Sequence, residues 1–300
     1  MWKLAYYIIY SLLFLMALLP LRLLYVLSDV ICFFVYHVAH YQLETVRRNL
    51  KRSFPEKDGE ELKTIERNFY RQLCDNIVET VKQVHISDST MRKLVDVRGT
   101  ELIEQTADDQ RPVFLLTGHM GNWEWMQEIA NRISRPSVHG EIYHPLRSPL
   151  ADRLMLVIRS RFGGILIPQK QTVRKLIGMK QQYGSYVIGF ISDQRPRRNG
   201  LTHWMEFLHQ DTPYLVGAES IGRHVGAKYL YLHITKPRRG HYIITITDMV
   251  LPKPEESYGK EEYPYSELYM RMLEQNIREN PALWLWSHKR WKHQRNKQNQ

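Results

Sequence analysis

From Ala5 to Leu21 the chain carries no charge, and past Arg22 it stays largely apolar through Val38, with Asp29 as the only further charged position. A membrane crossing needs about twenty apolar residues, so the first stretch is just short and the whole region too long for one straight span. Pro20 and Arg22 leave two arrangements open, a single tilted span or a helical hairpin lying partly in the interface. A cleaved signal would need a small-residue cleavage site, and none follows the apolar stretch cleanly, so residues 1–40 are expected to remain as an anchor. The pattern then changes. Leu43, Val46 and Leu50, followed by Leu62, Ile65, Phe69, Leu73, Ile77 and Val81, recur every three or four residues and predict two helices divided by Pro55 and Gly59.

Beyond residue 100 the period alternates. A short helix is expected over Thr100 to Ala107, then a buried strand at Val113-Phe114-Leu115-Leu116. Helices are predicted over residues 122–133, 150–158 and 172–181, with apolar strands at Ile165 to Ile167 and Tyr186 to Ile191 between and after them. Such alternation implies crossover connections and a mostly parallel sheet. Further strands are expected at Tyr214 to Ala218 and in the pair Lys228 to Thr235 and His241 to Thr247. The intervening Pro237-Arg238-Arg239-Gly240 suggests a hairpin forming an antiparallel edge. Pro264 to Arg278 closes the series as a helix. The expected fold is α/β, a mixed and mostly parallel central sheet flanked by helices, with an N-terminal membrane anchor over residues 1–40 and one domain over 41–300.

Composition narrows the functional classes. The net charge is +11, and Arg47, Arg48, Lys51 and Arg52 directly follow the apolar region. Cations at that place suit the cytoplasmic side of a membrane and an anionic leaflet. The tail adds Lys289, Arg290, Lys292, Arg295 and Lys297 without an acid among them. Lipid phosphate, an acidic carrier protein and nucleic acid would all be attracted, but the anchor and the lack of any nucleic-acid-binding motif argue against the last. Cys32 and Cys74 have no metal-ligand spacing and read as two buried thiols. Neither a metal nor a cofactor is called for.

The strand at Val113 runs straight into Thr117-Gly118-His119-Met120-Gly121-Asn122-Trp123-Glu124. A histidine at a strand end, near a helix N-terminus, is kept neutral and available as a proton acceptor. In a straight helix His119 and Glu124 would point about 140° apart, so they meet only if Gly118 and Gly121 bend the backbone first. No nucleophile elbow or metalloprotease pattern is present, which leaves direct attack by a substrate hydroxyl, deprotonated by His119, as the economical chemistry. The bland alternative, a histidine that only caps a turn, stands beside it.

Ordered blocks carry a resemblance. They are the apolar N-terminus leading to Arg47-Arg48-Asn49-Leu50; Gly118 to Glu124; Tyr143-His144-Pro145-Leu146-Arg147; Ile191-Ser192-Asp193-Gln194; and Pro281 to Lys292. Together the chain resembles the late lipid A acyltransferase family, O-acyltransferases of the Gram-negative inner membrane. That resemblance implies an acyltransferase-like fold and a cytoplasm-facing site with His119 as base and Glu124 as its acidic partner. It also implies transfer of a fatty acyl chain from an acyl carrier protein thioester, or from coenzyme A, to a hydroxyl of a hydroxyacyl chain on a lipid A precursor, with no acyl-enzyme. A helix beginning near Asn122 is the candidate for stabilising the oxyanion. Arg147 is a candidate for phosphate or the oxyanion, against the reading of a solvated side chain. Asp193 and Gln194, at a strand end, are candidate cleft residues, Asp193 in a supporting place. Arg195, Arg197 and Arg198 form a patch for the phosphorylated acceptor or the carrier. Trp284, Trp286 and Trp291 read equally as core anchors or as an interfacial surface. Another membrane lipid as acceptor, a hydrolase, and a non-catalytic lipid-binding protein remain the competing readings, and the oligomeric state is left open.

Overall fold

The computed structural model describes residues 2–136, 138–293 and 295; Lys297 of the basic tail lies outside them. Two apolar helices, α1 (Trp2–Leu18) and α2 (Leu21–Phe33), follow one another with a break at Leu19-Pro20, and the second runs on through one wider turn at Phe34–Val38. They are held to the body by polar contacts. Tyr25 donates to Glu79 at 2.8 Å, Ser28 to Asp75 at 2.8 Å and Tyr36 to Glu66 at 2.7 Å, while Lys82 Nζ caps the open end of α1 through the Ala17 and Leu19 carbonyls. Leu4, Leu12, Leu15, Val26, Phe33 and Phe34 along these helices are exposed, apolar surface of the kind that marks a membrane or protein contact.

The two predicted helices follow as α3 (Leu43–Ser53) and α4 (Gly59–Gln83), α4 opening on a capping box between Asp58 and Glu61. After α5 (Asp88–Leu94) come β1 (Val95–Arg98), α6 (Glu101–Asp108), β2 (Val113–Thr117), β3 (His139–Tyr143), α7 (Pro149–Arg159), β4 (Ile165–Pro168), α8 (Thr172–Tyr183) and β5 (Val187–Ile191). The chain finishes with β6 (Trp204–Phe207), β7 (Gln210–Pro213), α9 (Gly217–Val225), β8 (Lys228–Arg238), β9 (His241–Asp248) and α10 (Pro264–Glu279). Seven strands make one sheet in the order β1-β9-β8-β2-β5-β3-β4, parallel at every pairing except β8 with β9; β6 and β7 form a separate hairpin. The fold is therefore α/β with a mostly parallel sheet flanked by helices, as expected.

Several local expectations differ from what is observed. The antiparallel β8–β9 pair is interior, because β1 covers β9; its four residues were too short and too charged to stand out. Residues 123–131 form a tight 3₁₀ helix in place of an α-helix. The strand expected at Tyr214 to Ala218 is instead a loop leading into α9, since β7 has already ended at Pro213. Cys74 is buried and Cys32 half-buried, and both are free thiols.

The tryptophans resolve in favour of the core. Trp284 and Trp286 are buried, stack edge-on at 4.7 Å, and meet Phe207 and Phe54. Trp291 is half-buried and donates to Thr212. This C-terminal strap is pinned to the rest of the body: Asn49 Nδ2 reaches the carbonyls of Trp286 and His288, and Gly121 N–H donates to the Leu283 carbonyl.

Candidate active site

Strands β2 and β5 lie side by side at the centre of the sheet with Thr117 paired to Ile191. Each chain then continues two residues, which carries His119 and Asp193 past the carboxyl ends of neighbouring strands and against one another. The connection after β5 departs to the far side of β2, so this is also where the winding of the sheet reverses, the place where open α/β sheets leave a crevice.

The contact is close. His119 Nδ1 lies 2.6 Å from Asp193 Oδ1, and Asp193 Oδ2 accepts from the His119 backbone N–H at 2.9 Å and from Trp284 Nε1 at 2.8 Å. Burial alone would raise the Asp193 pKa, but the attraction and hydrogen bonds of His119, with the Trp284 N–H, outweigh it and hold the carboxyl down at about 2. With an ionised Asp193 as acceptor, Nδ1 is the ring nitrogen that carries a proton toward the carboxylate, and Nε2 is the nitrogen left for proton exchange. Among the described residues the hydrogen-bonding neighbour of Nε2 is the Gln194 amide, at 3.4 Å. Gly118 leaves room for this arrangement: a β-carbon there would stand 3.2 Å from Asp193 Oδ2 and 2.7 Å from Leu273 Cδ1.

The expected partnership of His119 with Glu124 is not what forms. Gly121, at φ +55°, turns the chain, Asn122 Oδ1 caps the next turn through the Glu124 N–H, and the 3₁₀ helix swings the Glu124 carboxylate toward α7. There Arg159 takes it in a two-pronged ion pair, Nη2 to Oε1 at 2.6 Å and Nε to Oε2 at 2.9 Å. Glu124 reaches His119 only indirectly: its Oε1 accepts from Trp123 Nε1 at 3.2 Å, and the Trp123 ring stands edge-on to the imidazole at 5.0 Å.

His119, Trp123, Glu124 and Arg159 all line a cavity of about 810 Å³ that continues between apolar walls including Met126, Ile129, Phe162, Leu166 and Phe190. Its lining also includes Glu141, whose Oε1 lies 3.5 Å from Arg159 Nε. Burial pushes the Glu141 carboxyl up to about 7 against the pull of Arg159, and the like charge of Glu124 adds to the rise.

The other predicted residues separate. Gln194 lines the cavity; Arg195 and Arg197 line its mouth, Arg197 beside His144 at 3.4 Å. Arg198 and Arg147 are exposed and outside the lining. Asn122 is a structural residue: its side chain is buried, with Oδ1 spent on the cap and Nδ2 on Glu79 at 2.8 Å, so it faces no substrate. Sequence reasoning missed Arg159, Glu141 and the Trp284 contact. Arg159 ends a helix that was predicted, but only the fold brings it to Glu124. Among the described residues no group of three or more metal-binding side chains gathers.

The arrangement is an imidazole held by a buried carboxylate, with its second nitrogen toward a mostly apolar cavity that Arg195 and Arg197 also line. Such an imidazole can take a proton from an alcohol bound in the cavity. The family described as bacterial lipid A biosynthesis acyltransferase matches residues 2–293. The chain is 24% identical over 248 residues to the lipid A biosynthesis palmitoleoyltransferase of Escherichia coli strain K12, covering 82% of this chain and 77% of that one. A lipid A biosynthesis acyltransferase of Shigella flexneri matches with the same figures. A second from that organism, lipid A biosynthesis acyltransferase 2, is 26% identical over 145 residues, covering 47% of this chain and 44% of that one.

Proposed function

The chain belongs to the bacterial lipid A biosynthesis acyltransferase family, and from that premise we propose how its residues carry out the transfer. It is an acyltransferase of lipid A synthesis. In our reading the donor is an acyl thioester, on acyl carrier protein in preference to coenzyme A, and the acceptor is a hydroxyl of a hydroxyacyl chain on a lipid A precursor. Residues 1–40 act as the anchor to the cytoplasmic face of the inner membrane, and residues 41–300 are the acyltransferase domain.

His119 Nε2 removes the hydroxyl proton as the alcohol oxygen attacks the thioester carbonyl. Asp193 fixes the ring tautomer and stabilises the imidazolium while the tetrahedral intermediate exists. The Gln194 amide, beside Nε2, is the donor for the developing oxyanion, in place of the helix end near Asn122. Collapse expels the thiolate, which recovers the proton from His119, so the ester and the free thiol form with no acyl-enzyme. Glu124 is a positioning residue, locking Arg159 in the cavity wall and holding Trp123 against the base. Arg195 and Arg197 receive the acidic carrier or the acceptor phosphate at the mouth.

The observation that carries this reading is the 2.6 Å contact between His119 Nδ1 and Asp193 Oδ1, with Nε2 turned to an acyl-sized apolar cavity. The test of acceptor and reaction together is mass spectrometry of lipid A from cells with and without the intact gene. A difference of one acyl chain is expected; an unchanged lipid A with altered phospholipids would move the activity to another acceptor.

A further inference from the structure

A second cleft, also of about 810 Å³, opens at the junction of α2, α4, the β8–β9 turn and the strap at residues 280–283, apart from the catalytic cavity. Four cations line it, Arg71, Lys236, Arg238 and Arg239, against two carboxylates, Asp29 and Asp75. The carboxylates are already taken. Arg239 binds Asp29 at 2.7 Å and Asp75 at 2.6 Å while lying over the Tyr25 ring, and Lys236 reaches Asp75 at 3.2 Å and Gln72 at 2.5 Å. Two further guanidinium groups lie outside that cluster of close ion pairs. Among the described residues Arg71 makes no hydrogen bond or close ion pair, its charge acting on Asp29 only from a distance, and Arg238 pairs with no carboxylate, its Nη2 lying 2.9 Å from His241 Nε2.

We propose that this cleft binds the phosphate headgroup of an anionic phospholipid from the bilayer that the apolar helices α1 and α2 contact. Arg71 on α4 and Arg238 at the end of β8 bring guanidinium donors, the group that pairs with phosphate, to the cleft from separate elements. The remaining wall supplies the lipid part of the argument. Phe33, which lines the cleft, Val26 and Val30 on α2, and Phe34 just after it are about half exposed or more. A headgroup in the cleft therefore has hydrocarbon-compatible surface directly beside it for its chains, which a free anion would not use. The proposal rests on the membrane association of the chain but not on its catalytic assignment.

The test is binding of the full-length protein to vesicles of phosphatidylcholine alone and to vesicles with a quarter of that lipid replaced by phosphatidylglycerol. The pair Arg71→Gln and Arg238→Gln is compared with a charge-matched pair on α8 near the far edge of the sheet, Arg174→Gln and Lys175→Gln. Folding of each is checked by circular dichroism. The cleft pair is expected to lose the preference for phosphatidylglycerol by roughly tenfold or more, with little loss from the α8 pair. Equal losses from both pairs would make the effect one of bulk charge and overturn the proposal. Acyl transfer in detergent micelles free of phospholipid is the second readout, and the cleft pair is expected to match the parent there. A loss of transfer in micelles would assign the cleft to the acceptor's own phosphate and also overturn the proposal, whereas normal transfer with abolished vesicle preference supports it.

Discussion

Asp193 holds the imidazole through Oδ1 and the His119 backbone through Oδ2, so one carboxylate sets both the tautomer of the ring and its position. Asp193→Asn keeps the size but puts an amide where the ring proton needs an acceptor. Its kcat is expected to fall by about 10²–10⁴ with little change in KM, as measured by acyl transfer to the lipid acceptor. The same residue makes an acid-range prediction. Its carboxyl is held at about 2 in the fold against an ordinary 3.8, so its stabilising contribution is complete above the ordinary value and is lost as pH falls toward 2. Thermal unfolding of the parent and Asp193→Asn should differ most near neutrality and converge on acidification; a gap independent of pH would contradict the pairing. Glu141 has the opposite sign. With its carboxyl raised to about 7 from 4.5, the fold favours the protonated form, and stability declines as pH rises through that window. Glu141→Gln is expected to flatten that decline in the same unfolding series.

Among the elements, the β2–β5 pairing is what converts two distant residues into one site. Gly118→Ala tests it, because the added methyl group would press on Leu273 and Asp193 together. The expected cost is about 1–3 kcal/mol of stability from overpacking, with transfer lowered further than stability alone accounts for as Asp193 is displaced. A variant as active as the parent would show that the Asp193 position is not critical. At this scale the sequence was legible where burial is uniform. β2 shows as the apolar run Val113 to Leu116 after Arg111-Pro112, β5 as another such run, and β8 through Tyr229 to Leu232. β1 and β3 were not, because Val95–Arg98 and His139–Tyr143 carry charged or polar side chains and are held mainly by sheet hydrogen bonds to their neighbours. His119 stood out through its local setting. Its carboxylate partner did not, because the choice between Glu124, five residues away, and Asp193, seventy-four residues away, depends on strand register and on Arg159 claiming the nearer acid.

In the proposed function of the whole molecule, the apolar helices α1 and α2 sit against the membrane, and Arg195 and Arg197, which line the cavity, receive an anionic partner. Arg195→Gln with Arg197→Gln is expected to raise KM for an acyl carrier protein donor several-fold at low salt and leave kcat nearly unchanged, the difference fading as ionic strength rises. Initial rates across a salt series check this, and a salt-independent loss of kcat would place these arginines in the chemistry instead. The net charge made an anionic partner readable from composition, but which cations are free depends on the ion pairs the fold makes, as Arg159 and Arg239 show by being consumed internally. Acyl transfer in the proposed mechanism depends on His119 as the base. The direct measurement is the turnover of purified, folded His119→Ala with an acyl carrier protein thioester and a lipid A precursor. A fall of about a hundredfold or more, with circular dichroism and vesicle binding unchanged, is the expected result; turnover near that of the parent would contradict it.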